Sequence, residues 1–137
     1  MEIMNAIGIA ASGMRAQGDR LRVISENIAN ADTTATVPGG DPYRRKSISF
    51  KNVMDKSMGV NVVQDAGITQ DMKTPFRSKF MPESPVADSN GYIKLPNINP
   101  LTEIMDMREA QRSYEANLGM IDIARGMMGR TLDLLHG

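Results

Sequence analysis

The chain has 137 residues, 41% of them hydrophobic, which is material for about one domain. Sixteen basic residues balance sixteen acidic ones, so no net field would draw the chain to nucleic acid or to an anionic membrane, and protein partners are favoured. The absence of cysteine excludes disulfides, cysteine-type zinc sites and thiol chemistry.

The amino-terminal residues, MEIMNAIGIAASGMRAQ, have neither the basic start nor the continuous apolar core of a secretory signal. No apolar run reaches the roughly 18 residues that a membrane span requires. We therefore expect neither a cleavable signal peptide nor direct membrane insertion. A protein of this kind that works outside the cytoplasm would need another export route.

A long amphipathic helix is predicted at the start of the chain, within residues 1–32. Its apolar residues recur at steps of three, four and seven, which places them on one stripe. One seam of the stripe is a strict heptad series, Ile7, Met14, Leu21 and Ile28. The second seam is partly small and partly polar, with Ile3, Ala10, Gln17 and Ile24. The pattern is typical of a helix in a coiled coil.

Two asparagines, Asn27 and Asn30, stand where this helix should end. An asparagine can adopt the left-handed cap conformation or bond the free carbonyls of the last turn. One interpretation is that both residues are caps and nothing more. The alternative is that they also take part in contacts between subunits.

The chain changes character over residues 33–99, which hold most of the prolines and the turn dipeptides Gly39-Gly40 and Asn90-Gly91. Short alternating segments predict strands at 45–50, 59–64, 76–80 and 91–95. We expect a small, irregular β-containing insertion here.

A second long helix is predicted over residues 100–137, with Pro100 at its first position. Its apolar stripe consists of Leu101, Ile104, Met107, Tyr114, Leu118, Ile121, Ala124, Met128, Leu132 and Leu135. The predicted fold is therefore mainly α: two terminal helices pair as a coiled coil, with the β-containing insertion between them. The stripe of the second helix would bury against the first helix.

Six glycines inside these helices would cost roughly 6 kcal/mol relative to alanine, at about 1 kcal/mol each. Either the helices are poorly formed in the free chain, or close packing against neighbours compensates for that cost. Gly119 and Gly126 lie across the second helix from Ile121 and Met128. This opposite face would let another helix approach closely, unless it is simply a solvent face.

No constellation of residues indicates an enzyme. His136 is the single histidine and lies next to the last residue, where chain ends usually fray. Phosphate-binding, HExxH and EF-hand spacings are missing. The basic segment YRRKSISFK reads better as a solvated edge strand than as a nucleic-acid site. We expect no catalytic, cofactor-binding or metal-binding residues.

Two segments resemble the flagellar basal-body rod and hook protein family. SGMRAQGDRLRVISENIANADTT carries its Asn-apolar-Ala-Asn core, and GYIKLPNINPLTEIMDMREAQRSYEANLGMI resembles its carboxy-terminal region. The short insertion, with DPYRRK and PNINPLTEIMDM, is similar to that of a proximal-rod member. The resemblance implies a structural subunit that assembles helically through its terminal helices into the drive shaft and the wall of the export channel. It also implies export through the flagellar export apparatus to a periplasm-spanning rod.

The partners implied are other rod subunits and copies of the same chain. The expected subunit-interface residues are Ile7, Met14, Leu21, Asn27, Ile28, Asn30, Tyr114, Asn117, Leu118, Ile121, Gly126 and Met128. The residues themselves leave a second function open, a non-flagellar coiled-coil adaptor that forms a discrete oligomer. Heterologous assembly into rods would distinguish the shaft subunit from the adaptor.

Overall fold

A computed structural model describes residues 2–137 and contains two long helices and four strands. In chain order the elements are α1 (Glu2–Ala29), β1 (Lys46–Asp55), β2 (Val60–Gln70), β3 (Arg77–Phe80), β4 (Tyr92–Leu95) and α2 (Pro100–His136). The predicted class, two terminal helices around a small β-containing insertion, is confirmed. Met1, with which the predicted first segment begins, lies outside the described residues.

At the end of the first helix, an asparagine side chain bonds a carbonyl of the last turn. Asn30 donates its backbone N–H to the Glu26 carbonyl at 3.1 Å and its side-chain amide to the same oxygen at 2.8 Å. No described residue other than glycine has positive φ, so neither asparagine adopts the left-handed conformation. Of the two alternatives, bonding to a carbonyl of the last turn is the one found for Asn30, whose side chain adds a second hydrogen bond to an oxygen that already accepts from the backbone.

The second helix begins at Pro100, as predicted. The Asn99 side-chain oxygen accepts a hydrogen bond from the Leu101 N–H at 3.1 Å, which makes Asn99 the N-cap. Proline fits the position after the cap because its missing N–H would have no helical partner there.

Strands appear in all four predicted segments, and β1 and β2 run well beyond their predicted ends. They form one two-stranded sheet, with Asp55 bonded to Gly59 at the tip of the hairpin and Arg45 to Asp71 at the other end. Gly59 has φ +67°, a conformation that the tight turn requires and that glycine tolerates. β3 and β4 form a second, antiparallel sheet in which Phe80 lies opposite Tyr92.

The chain divides into two compact units. Unit 1 contains Met1–Leu21, Ile48–Gly67 and Arg108–Gly137, and unit 2 contains Arg22–Ser47 and Ile68–Met107. The buried apolar residues of unit 1 are small: Ala10, Ala16, Val62, Ala110 and Ala124. Those of unit 2 are Val23, Ile24, Ala31, Ile93 and Ile98.

Within unit 1 the two helices contact each other in antiparallel order. Arg20 pairs with Glu109 at 3.5 Å, and further back along α1 Gly13 lies against Asn117. A Cβ on Gly13 would lie 2.8 Å from the Asn117 side-chain nitrogen, so the Asn117 amide would have to shift to admit one.

The face that α2 buries agrees only in part with the predicted stripe, of which Ala124 is buried and Met107, Ile121 and Met128 are half-buried. Its most buried apolar residues are Ala110 and Ala124, and half-buried Asn117 lies between them at steps of seven. Small side chains allow the close approach seen at Gly13, which larger apolar residues would prevent. The prediction that the whole stripe buries in the chain is therefore wrong for its exposed members, Leu101, Ile104, Tyr114, Leu118, Leu132 and Leu135.

Two glycines of α1 provide a test of this contact. Gly18→Ala should raise the free energy of unfolding by up to about 1 kcal/mol, because an added methyl meets nothing within 4 Å and the helix propensity improves. Gly13→Ala should raise it less, since the Asn117 amide must shift to admit the methyl. Denaturant unfolding of both variants measures the difference, and equal gains would contradict the close contact.

Candidate assembly interface

A buried polar cluster joins three segments of unit 2. We call it the polar junction; its residues are Asn27 at the end of α1, Tyr43, Arg45 and Lys46 before and at the start of β1, and Glu103 in the first turn of α2. In this junction, the two helices hold Asn27 and Glu103 in fixed positions, and the start of β1 lies between them.

Asn27 is fully buried, and all of its hydrogen-bonding positions are used. Its oxygen accepts from the Lys46 N–H and the Tyr43 hydroxyl, both at 3.0 Å. Its amide donates to the Lys46 carbonyl at 2.8 Å and to a Glu103 oxygen at 3.4 Å. Asn27 is therefore no simple helix cap; it substitutes for a strand partner at the first residue of β1.

Glu103 is the buried charge of the junction, with a side chain only 1% exposed. One of its oxygens accepts a hydrogen bond from Arg45 Nε, and Arg45 also pairs with Asp106 at 3.6 Å. A buried carboxylate needs such partners, because leaving it unpaired would cost on the order of several kcal/mol. Two further carboxylates on α2, Asp106 and Glu109, each contact an arginine.

Burial raises the pKa of Tyr43, and the nearby charges of Glu26 and Glu103 raise it further. The phenol consequently stays protonated at neutral pH and keeps its role as a hydrogen-bond donor to Asn27.

A second asparagine extends the junction. Asn97 accepts from the Arg45 N–H at 2.8 Å and donates to the carbonyls of Asp71 and Thr74 at 3.0 and 3.1 Å. Sequence reasoning did not assign Asn97, Arg45, Tyr43 or Glu103 to a site. The available signal was the PNIN element, in which two asparagine amides lie among apolar residues just before a predicted helix.

Asp71 gives this region a measurable pH dependence. Hydrogen bonds from the Thr74 hydroxyl, the Thr74 N–H and the Lys73 N–H, with the charge of Arg45, lower its pKa from 3.8 to about 2. Because the pKa is lowered by folding, the ionised carboxylate stabilises the turn above 3.8, and this contribution is lost as the pH falls through about 2. The amide signal of Thr74 should titrate in this window, and Asp71→Asn should abolish the titration.

The predicted interface residues fall into three groups by exposure. Asn27 is buried. Half-buried are Ile7, Met14, Leu21, Ile28, Asn30, Asn117, Ile121 and Met128. Exposed are Tyr114, Leu118 and Gly126. Their contacts with other subunits stay a prediction, and the exposed members are the ones that a neighbour could reach directly.

Large apolar side chains line the outside of α2. Leu101 is 67% exposed, Met105 63% and Ile123 60%, and Leu134 and Leu135 are exposed more fully. An open apolar groove of about 220 Å³ in unit 1 is lined by Glu2, Ile3, Ala6, Met120, Ile123, Ala124 and Met127. These surfaces are the second part of the candidate interface.

Across residues 2–137, no three histidine, cysteine, aspartate or glutamate side chains are grouped so that they could hold a metal ion. None of the helices in the same range is long and apolar enough to cross a membrane. The arrangement thus offers packing surfaces and a structural polar junction.

Comparisons with known proteins match both ends of the chain. Residues 7–35 match the family described as flagella basal body rod protein, and residues 89–134 match the family described as flagellar basal body rod FlgEFG protein C-terminal. The chain is 47% identical over 127 residues to a protein of Agrobacterium fabrum, with 93% of this chain and 91% of the relative covered. The chain belongs to the flagellar basal-body rod protein family.

Three relatives that match nearly the whole chain carry the same name. The Agrobacterium protein is the flagellar basal-body rod protein FlgC. FlgC of Salmonella typhimurium is 36% identical over 134 residues, covering 98% of each chain. FlgC of Bacillus subtilis is 34% identical over 149 residues, covering 98% of this chain and 99% of the relative. The predicted family, and the predicted similarity to FlgC within it, are confirmed.

Proposed function

We propose that the chain is a structural subunit of the proximal part of the flagellar basal-body rod. In this role it assembles helically through its terminal helices and forms part of the drive shaft and of the export-channel wall. The supporting observation is the unpartnered apolar surface of α2, in a chain of the rod family. A monomer rarely leaves so many large apolar side chains exposed along one element.

The helices would pair as a coiled coil in the assembled state. The heptad series of α1, the antiparallel contacts at Gly13 and Arg20, and the small residues of α2 support this packing. The proposed division is residues 1–32 and 100–137 for the coiled-coil domain and 33–99 for the insertion.

The interface would use the exposed members of the predicted set directly, Tyr114, Leu118 and Gly126. Asn27 would contribute indirectly, because its four hydrogen-bonding positions already serve its own chain. Its role is to fix the start of β1 and the first turn of α2 so that the helices present a constant surface to neighbours.

The partners proposed are other rod subunits, copies of this chain and, during secretion, the flagellar export apparatus. The chain would be located in the basal body, exported without a cleavable signal peptide. It would not act as an enzyme, carry a cofactor, bind nucleic acid or insert into the membrane.

Electron microscopy of purified basal bodies tests this function. The full chain is expressed with a short tag at the exposed β3–β4 region, in cells that lack their own FlgC. Labelled tag should lie on the rod next to its inner end. A tag found away from the rod, or a purified chain that forms only a discrete oligomer, would reject the shaft subunit and favour an adaptor.

A further inference from the structure

The tip of the β1–β2 hairpin is ordered by a single carboxylate. Asp55 accepts hydrogen bonds from the Ser57 N–H at 2.8 Å, the Ser57 hydroxyl at 2.6 Å and the Met58 N–H at 3.3 Å. Gly59 closes the turn by donating to the Asp55 carbonyl at 2.7 Å. The turn consequently holds Met58 in a defined direction.

Met58 is seated on Gly8 of α1, within unit 1. Its sulfur lies 2.6 Å and its terminal methyl 3.0 Å from the place where a Cβ of Gly8 would be. The thioether thus fills the space that glycine leaves open. The Val63 N–H donates to the Ser12 hydroxyl one helical turn further along α1, at 3.2 Å.

Packing beside this contact is incomplete. An open cavity of about 260 Å³ lies between α1 and β2 and is lined by Ser12, Arg15, Ala16, Asp19, Val63, Gln64 and Asp65. A two-stranded hairpin is marginally stable alone, so the hairpin tip depends on the contacts it makes with the helix. Met58 is half-buried, so part of its side chain is open to solvent and to a small oxidant.

We propose that Met58 is a sulfur-oxidation site that controls whether the hairpin tip stays docked on α1. The chain has twelve methionines and no cysteine, so its sulfur chemistry is thioether chemistry alone. The inference rests on the Gly8 contact and is independent of the rod function.

The oxidant is a hydroperoxide, with hydrogen peroxide as the simplest case. The Met58 sulfur donates an electron pair to one oxygen of hydrogen peroxide, the O–O bond breaks and an S–O bond forms. The proton of the transferred oxygen passes to the leaving hydroxide, which departs as water. Sulfur loses two electrons and the peroxide gains them. The product is a polar sulfoxide that needs more space and more water than the seat on Gly8 provides.

Hydrogen exchange of the full chain, before and after hydrogen peroxide, tests the site. Two leucine variants are matched: Met58→Leu keeps the size of the side chain but has no sulfur, and Met54→Leu removes a 55% exposed sulfur from the same hairpin. After oxidation, amides of the hairpin tip should exchange about tenfold faster in the unsubstituted chain and in Met54→Leu, as expected for loss of one well-packed apolar contact. Met58→Leu should not respond.

Methionine sulfoxide reductases A and B together should restore slow exchange. Unchanged exchange when mass spectrometry finds Met58 fully oxidised would overturn the proposal. An equal response of Met58→Leu and the unsubstituted chain would do the same.

Two variants at glycines of α1 keep the test decisive if the leucine of Met58→Leu does not pack on the helix. Gly8→Ala removes the seat and should give fast tip exchange without oxidant, with no further increase on oxidation. Gly18→Ala, where an added methyl meets nothing within 4 Å, should retain slow exchange and the normal response. If the amides of the hairpin tip still exchange slowly in Gly8→Ala, the Gly8 contact does not hold the tip in place and the proposal is overturned.

Discussion

Asn27→Ala is expected to lower the free energy of unfolding by about 3 kcal/mol or more, because it leaves several buried groups without partners. The Lys46 N–H and carbonyl both lose their side-chain partner, and the Tyr43 hydroxyl loses its acceptor. Glu103 loses one of its donors inside the chain. Urea unfolding, with the midpoint and slope fitted for each variant, measures the change.

Asn30→Ala is the matched control. Asn30 bonds only its own helix end and Thr33, so its loss should cost about 1 kcal/mol or less, the usual value of a helix cap. Similar costs for the two asparagines would mean that both act as caps and would contradict the polar junction. Asn27→Asp should be at least as harmful as Asn27→Ala, because it replaces the donor facing Glu103 with a second negative charge.

Both long helices could be predicted from the sequence because their periodic patterns extend over many turns and proline and asparagine mark their ends. The strands were found in position, but β1 and β2 were predicted too short, since alternation weakens where both faces of a hairpin are exposed, as from Gln64 to Gln70. The buried face of α2 was predicted only in part, because hydrophobicity ranks leucine above alanine: Ala124 belongs to the predicted stripe, whereas Ala110 and Asn117 do not. The contact with Gly13 involves the polar Asn117, which an apolar pattern does not indicate.

The polar junction was only half predictable. Asn27 attracted attention by its place at the end of a helix, but its partners are 16 to 76 residues away along the chain. Arg45 and Glu103 are 58 residues apart, and nothing local in either segment indicates that they form an ion pair. Local patterns specify elements; a pairing between distant polar residues becomes visible only when the fold brings them together.

Gly126→Glu is expected to abolish rod formation while leaving the single chain as stable as before or slightly more so. Gly126 is exposed and an added Cβ meets nothing within 4 Å, so a longer side chain can leave the helix toward solvent. Replacing a helix-interior glycine should even stabilise α2 by up to about 1 kcal/mol. In a rod, however, a charged side chain would occupy the smooth face on which we propose that a neighbouring helix packs.

Two comparison variants separate the possible causes of such a loss. Gly126→Ala adds a methyl without charge and should impair rods less than glutamate does, because a close neighbour tolerates a small intrusion better than a charge. Ile121→Asp alters a half-buried position of the same helix and should reduce both chain stability and rod formation.

Urea unfolding of each purified chain, secreted protein levels and counts of rods in isolated basal bodies provide the three readouts. An export apparatus that takes the unfolded chain would not respond to these changes, so all three variants should be secreted normally. Normal rods with Gly126→Glu would show that this face meets only solvent, and assembly would then have to rely on the exposed apolar flank at Tyr114 and Leu118.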